Sequence, residues 1–258
     1  MTFKINNIEI NTVDDLANAI EQNKNILTQT FYLSNDKLNI YLYIVKEGTV
    51  DMLKYLEKYL SNIKTLKCWH GSDAYLCDAY LCATYYGKLD IMKYLEKEHN
   101  WDIHVKNNNG SDVYSFASFN GQLEIMKYLE KEHNWDIIQY KTLTNNNLYL
   151  LAASYGHLDI MKYLEKEHNW DIHIKNNYGY DAYLKAAKNG QLDVMKYLEK
   201  EHNWNPYVRN YRGNDAYIEA YEYHHNHIVK YILENHVDIF EKLKQENDYL
   251  KSLIKNTQ

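Results

Sequence analysis

Proline is almost missing from this chain: there is one, Pro206, in 258 residues. The turns must therefore be made by glycine and asparagine. Cysteine is scarce too. Cys68, Cys77 and Cys82 form an odd, locally clustered set, which excludes a disulfide framework and reads as reduced thiols of an intracellular protein. Long apolar runs are lacking. The longest, roughly Ile40 to Val45, is far too short to cross a bilayer. The opening MTFKINNIEIN holds no apolar signal segment, so a cytoplasmic location is expected. Excess positive charge is also missing. A formal charge of −6 weighs against nucleic acid and acidic membranes as partners.

What the chain does have is tyrosine, 27 of them, with abundant Asn, Lys and Ile. These residues share A/T-rich codons, so base composition and function both remain explanations of the excess. It also has a block, LDIMKYLEKEHNWDI. The block begins at Leu89, at Leu123 as LEIMKYLEKEHNWDI, at Leu158, and at Leu192 as LDVMKYLEKEHNWNP, at intervals of 34, 35 and 34 residues. A fixed period of this length marks a stack of small units, none able to bury its own apolar face. Such arrays present surfaces, which points to a binding protein and away from an enzyme.

Each unit holds two helical patterns. In DAYLKAAKN, Asp181 caps a first helix. Gly190 breaks the chain. A second helix from Leu192 to about Glu201 carries a wide apolar face through Leu192, Val194, Met195, Tyr197 and Leu198. It stops near His202 and Asn203, where asparagine can turn left-handed. First helices begin near Asn39, Asp78, Asp112, Asn147, Asp181 and Asp215, and second helices near Val50, Leu89, Leu123, Leu158, Leu192 and Asn226. Six units result, at about 37–72, 73–108, 109–143, 144–177, 178–211 and 212–236. Residues 1–36 form a capping segment in which NTVDDLANAIEQ echoes a lone second helix, with Thr12 as its cap and Asp15 three residues on. A tandem duplication, DAYLC at 73–77 and again at 78–82, predicts a first helix longer by one turn, or a bulge. Residues 237–258 show about two heptads through Phe240, Leu243, Asn247, Leu250 and Ile254. They fit either a helix capping the last unit or a weak self-association seam.

The units resemble ankyrin repeats. Gly179, Asp181, Tyr183, Ala186, Ala187, Gly190, Leu192, Asp193, Val194, Tyr197 and Leu198 fall in the family register, as do Gly110, Asp112, Ala117, Gly121, Leu123, Glu124 and Ile125. Asp or Asn replaces the family threonine, no proline follows it, and one residue is added at Glu-His-Asn-Trp. The tetratricopeptide alternative shares the period but lacks its first-helix Trp/Leu-Gly/Tyr pattern here. The Asn- and Tyr-rich style is similar to arrays of amoeba-infecting large DNA viruses and of some protists. The resemblance implies an all-α solenoid of helix-turn-helix units joined by long, hairpin-like turns. It also implies a protein partner and no cofactor. An adaptor whose end segments recruit machinery such as a ubiquitin ligase is the alternative function.

The family binds through its turn tips and the two residues before the first-helix glycine. Here those are Tyr85 and Tyr86, Phe119 and Asn120, Ser154 and Tyr155, Lys188 and Asn189, and Tyr223 and His224. The tips add Asn108, Asn109, Tyr178, Tyr180, Tyr211 and Arg212. Tyrosine and arginine are frequent binding hot spots. The recurring Trp101, Trp135, Trp170 and Trp204 read as a packing ladder. The recurring His99, His133, His168 and His202 would lie roughly 8–10 Å apart in stacked helices, too far to share a zinc ion, and read as loop histidines. His224, His225 and His227 are denser but lack a Cys or carboxylate partner at suitable spacing. No phosphate loop, zincin motif, nucleophile elbow or kinase signature occurs, and no catalytic residue is assigned.

Overall fold

The computed structural model describes residues 3–5, 8–28, 30–33, 36–60, 63–65, 68–70, 75–107, 110–137 and 147–236. The 237–258 seam and the Asn108 and Asn109 tips lie outside them. The chain divides into two compact units, Met1–Trp135 and Asp136–Gln258.

The first unit opens with an antiparallel hairpin, β1 (Phe3–Ile5) and β2 (Ile8–Ile10). Its Ile5 and Ile10 side chains are fully buried. Helix α1 (Val13–Gln22) follows, closed by a reciprocal capping box: the Thr12 hydroxyl accepts from the Asp15 amide, and the Asp15 carboxylate accepts from the Thr12 amide. Three helix pairs come next: α2 (Ile40–Glu47) with α3 (Val50–Leu56), α4 (Ala79–Tyr85) with α5 (Leu89–His99), and α6 (Val113–Phe119) with α7 (Leu123–His133). First helix packs on first helix, α4 lying between α2 and α6. In the second row α1 packs on α3, and α3 on α5. Helix α1 thus holds a second-helix place.

The five-residue surplus goes elsewhere than expected. Helix α4 begins at Ala79 and is no longer than its counterparts. Residues 75–77 instead form the last strand of an antiparallel sheet in the order β3 (Thr30–Leu33), β4 (Asp36–Asn39), β5 (Cys68–His70), β6 (Tyr75–Cys77). Asp78 caps the second copy of DAYLC, accepting from the Tyr80 and Leu81 amides, so residues 75–77 of the first copy fall in the strand before the helix. A cap acts on the residues that follow it, so the duplication leaves the helix at its usual length.

The second unit repeats the scheme with α8 (Leu148–Tyr155) and α9 (Leu158–His168), α10 (Ala182–Lys188) and α11 (Leu192–His202), and α12 (Ala216–Glu222) and α13 (Asn226–Asn235). Helix α10 packs between α8 and α12. All six first helices start at the expected Asn or Asp cap. Four second helices end at left-handed asparagines, Asn100, Asn134, Asn169 and Asn203, with φ between 45° and 49°. The core is built from the same positions in the first five pairs: a fully buried first-helix tyrosine (Tyr41, Tyr80, Tyr114, Tyr149, Tyr183) and a second-helix triplet such as Ile160, Met161 and Leu164. The four repeat tryptophans are buried as well. Trp101 Nε1 donates to the Asp78 carboxylate at 3.2 Å, tying the end of a pair to its start.

Candidate partner-binding surface

The scaffold beneath the surface is a polar tie that the sequence reading missed. The buried first-helix tyrosine donates to a glutamate sixteen residues on, in its own pair; the next second helix adds a tyrosine and a histidine to the same carboxylate. Tyr149, Tyr197 and His202 meet Glu165 at 2.7, 2.6 and 3.0 Å. Tyr183, Tyr231 and His236 meet Glu199 at 2.5, 2.6 and 3.2 Å. In the first unit Tyr80, Tyr128 and His133 hold Glu96, and Tyr41, Tyr94 and His99 hold Glu57. Lysines of the preceding helix lie over the same tyrosines, Lys162 on Tyr197 at 4.9 Å and Lys93 on Tyr128 at 4.7 Å. The recurring His99, His133, His168 and His202 are therefore final helix residues and not loop residues, and His99, His133 and His202 are engaged with carboxylates. Burial, the glutamate hydrogen bond and its charge push the Tyr149 phenol far above its ordinary value.

The turn tips rest on a second recurring device. Asn176 closes a turn through its backbone, its amide donating to the Tyr180 carbonyl and its carbonyl accepting from Gly179. Its side-chain oxygen accepts from the Tyr178 and Tyr180 amides, both at 3.0 Å. Asn210 does the same for Arg212 and Asn214. Gly179 sits at φ +79°, and an added Cβ would meet the Tyr211 ring at 2.6 Å; only glycine lets the next tip lie down on this one. The Tyr211 amide completes the contact by donating to the Tyr178 carbonyl at 3.1 Å. The spacing Asn-x-x-Gly, present at 107–110, 176–179 and 210–213, was the sequence signal for these turns.

A family model for ankyrin repeats (3 copies) matches residues 79–175 and 149–242, more than half of the chain. The chain belongs to the ankyrin-repeat family. Ankyrin repeats are in general protein–protein interaction modules, typically without enzymatic activity. A comparison with curated proteins finds no match. Among the described residues no helix is long and apolar enough to cross a membrane, and no cluster of three or more metal-ligating side chains occurs.

In these ankyrin pairs the expected binding residues fall into two groups. In the first unit, Tyr85 and Tyr86 are half-buried and pack edge to face at 4.9 Å, with Lys46 over the Tyr86 ring at 4.7 Å. Phe119 and Asn120 are half-buried at the end of α6, where the Asn120 side chain donates to the Phe116 carbonyl. In the second unit the tyrosines are far more open. Tyr155 is 44% exposed, Tyr178 57%, Tyr211 75% and Tyr223 48%. Asn189 and Arg212 are exposed, and Lys188 is half-buried with its ammonium 4.5 Å from the Tyr223 ring. Tyr180 is buried instead, its hydroxyl held by Glu219 at 2.7 Å. Tyr221, 64% exposed, joins the open set and was not singled out from sequence. Its ring stacks on Tyr217; an exposed helix position with no repeat partner gives no periodic signal. His225 and His227 donate their Nε2–H groups to the Lys188 and Gly190 carbonyls, at 2.9 and 3.0 Å, and so fasten the last pair to the one before it.

Proposed function

We propose that this ankyrin array captures a partner protein on its concave face, through the first-helix ends and turn tips. Tyr85, Tyr86, Phe119 and Asn120 act in the first unit; Tyr155, Tyr178, Lys188, Asn189, Tyr211, Arg212 and Tyr223 act in the second. Tyr180 shapes the surface from below. One observation carries the reading. Of the seven large hydrophobic side chains left exposed among the described residues, Tyr155, Tyr178, Tyr211, Tyr221 and Tyr223 lie at first-helix ends or tips of the second unit. The second helices leave none of theirs exposed. Exposed aromatics gathered at one kind of position mark a contact surface, whereas scattered ones would not. Tyrosine there offers rigid area and a hydroxyl at low entropic cost.

The test is affinity capture with the full chain, followed by mass spectrometry and repeated with Tyr155→Ala, Tyr211→Ala and Tyr223→Ala together. Captured proteins should be lost while the circular dichroism spectrum stays unchanged. Undiminished capture by that variant would remove this surface from the account.

A further inference from the structure

The second unit contains a cleft of about 520 Å³ between the Tyr178 turn, α10 and the Tyr211 turn, walled by Tyr178, Tyr180, Tyr211, Lys185, Lys188 and Arg212. Its wall holds three cations and no carboxylate, in a chain whose formal charge is −6. None of the three forms an ion pair among the described residues. Lys185 and Lys188 both reach over the Tyr180 ring, at 5.4 and 4.9 Å. Arg212 stands on the following turn.

Neither carboxylate of α12 forms an ion pair with these cations. Glu219, buried behind Tyr180, accepts from Tyr180, Asn210 and Asn214 through Oε1 alone, and its buried Oε2 has no hydrogen-bond partner among the described residues. Glu222 accepts from Asn214. Burial, and then Lys188, push the Lys185 ammonium below its ordinary value, with Glu219 opposing at a distance. A half-buried cation without a contacting anion costs stability. The cost is local: the positions of Lys185 and Lys188 are held by Phe116 and Phe119 in α6, by Leu151 and Ser154 in α8, and by Glu219 and Glu222 in α12. Neither lysine serves the shared scaffold.

We propose that this cleft is the docking site for an acidic peptide segment of the partner, whose Asp or Glu side chains pair with Lys185, Lys188 and Arg212 while its backbone lies against Tyr178 and Tyr211. The proposal rests on the partner-binding reading above and deepens it. Charge complementarity selects the occupant. The positive charge is divided between a helix and a turn, which suits spaced carboxylates. The chain as a whole is acidic, with a formal charge of −6, which weighs against nucleic acid as the occupant.

A random-peptide phage library panned against the full chain tests it. Enriched peptides should carry neighbouring Asp or Glu residues. Their synthetic versions should bind Lys188→Gln and Arg212→Gln about tenfold more weakly, the scale of one lost charge-assisted contact, and bind Lys200→Gln and Lys97→Gln unchanged. Lys185→Met should weaken peptide binding and raise the thermal midpoint together, a combination that a purely structural lysine cannot give. Acidic peptides indifferent to the cleft variants overturn the proposal. So do neutral peptides that depend on Tyr86 and Phe119, an outcome that leaves partner binding itself intact. Tighter binding of oligouridine, lost in the same variants, makes the occupant a nucleic acid and also overturns it. An empty panning sinks the peptide alone, because protein capture is judged by the separate experiment.

Discussion

At the residue scale, the repeated block is a sequence that mates with its own copy. In LDIMKYLEKEH the lysine covers the next tyrosine, the tyrosine reaches the previous glutamate, the glutamate receives its neighbours, and the histidine reaches back. Glu165 is the centre of one such tie, with its side chain 13% exposed. Removing it strands two phenols and an imidazole. Glu165→Ala should cost about 3 kcal/mol, as when one partner of a buried charged pair is deleted, while Glu21→Ala on the exposed face of α1 should fall within about 0.5 kcal/mol of the parent. Urea unfolding of the two variants measures both. The left-handed Asn169 makes a finer demand, with φ 45°. Asn169→Ala should lose about 1 kcal/mol from backbone strain, and Asn169→Gly should lose less; a larger loss for glycine would mean that the side chain, and not the backbone, sets this position.

At the scale of elements, the caps decide where helices start. Thr12→Ala should destabilise the first unit by about 1 kcal/mol, seen as a lower urea midpoint. The hydrogen bond from the Asn11 amide, and those from Thr12, hold the Asp15 carboxyl below the usual carboxylate value. A folded value below the unfolded one gives stability that is present above the unfolded pKa and lost as pH falls through the folded one. The Thr12 variant should therefore lose less on acidification than the parent. Caps of this kind made the helix pairs legible in the sequence, because each depends on residues a few positions apart: Asp181 to Leu184, Thr12 to Asp15. The ties were not legible. Tyr149 to Glu165 spans one pair, and Glu165 to His202 spans two, so the donor and acceptor never share a helix and the histidine reads as a loop residue. The β3–β6 sheet escaped for the opposite reason: short strands in irregular connections carry no repeating pattern to read. In the candidate surface, Tyr155 and Tyr211 were legible by family position. Tyr180 reads as a tip residue until its hydroxyl is found bound to buried Glu219.

At the scale of the whole molecule, the ties stop where the helix pairs stop. Ile20 stands in α1 where the other second helices carry the glutamate, and Leu233 stands there in α13. With no carboxylate to reach, Tyr55 turns instead to Tyr59, hydroxyl to hydroxyl at 3.1 Å. The interior thus depends on protonated phenols in both units. Burial, together with the neighbouring glutamates, raises Tyr41, Tyr80, Tyr149 and Tyr183 far above the ordinary tyrosine value, which is about 10. Above that pH the unfolded chain gives up protons that the folded chain retains. Stability is therefore complete below about pH 10 and declines as the pH rises toward the folded values. Thermal midpoints should be level through the neutral range and drop steeply above pH 10, with helix content lost as the tyrosinate absorbance of the buried rings appears. Replacing Tyr149 and Tyr183 by Phe removes two of these protons from the balance. The double variant should be less stable at neutral pH, because Glu165 and Glu199 each lose a donor, yet its decline above pH 10 should be shallower. A decline of unchanged steepness would mean that alkaline unfolding is driven by other groups and that the phenol–glutamate ties do not govern it.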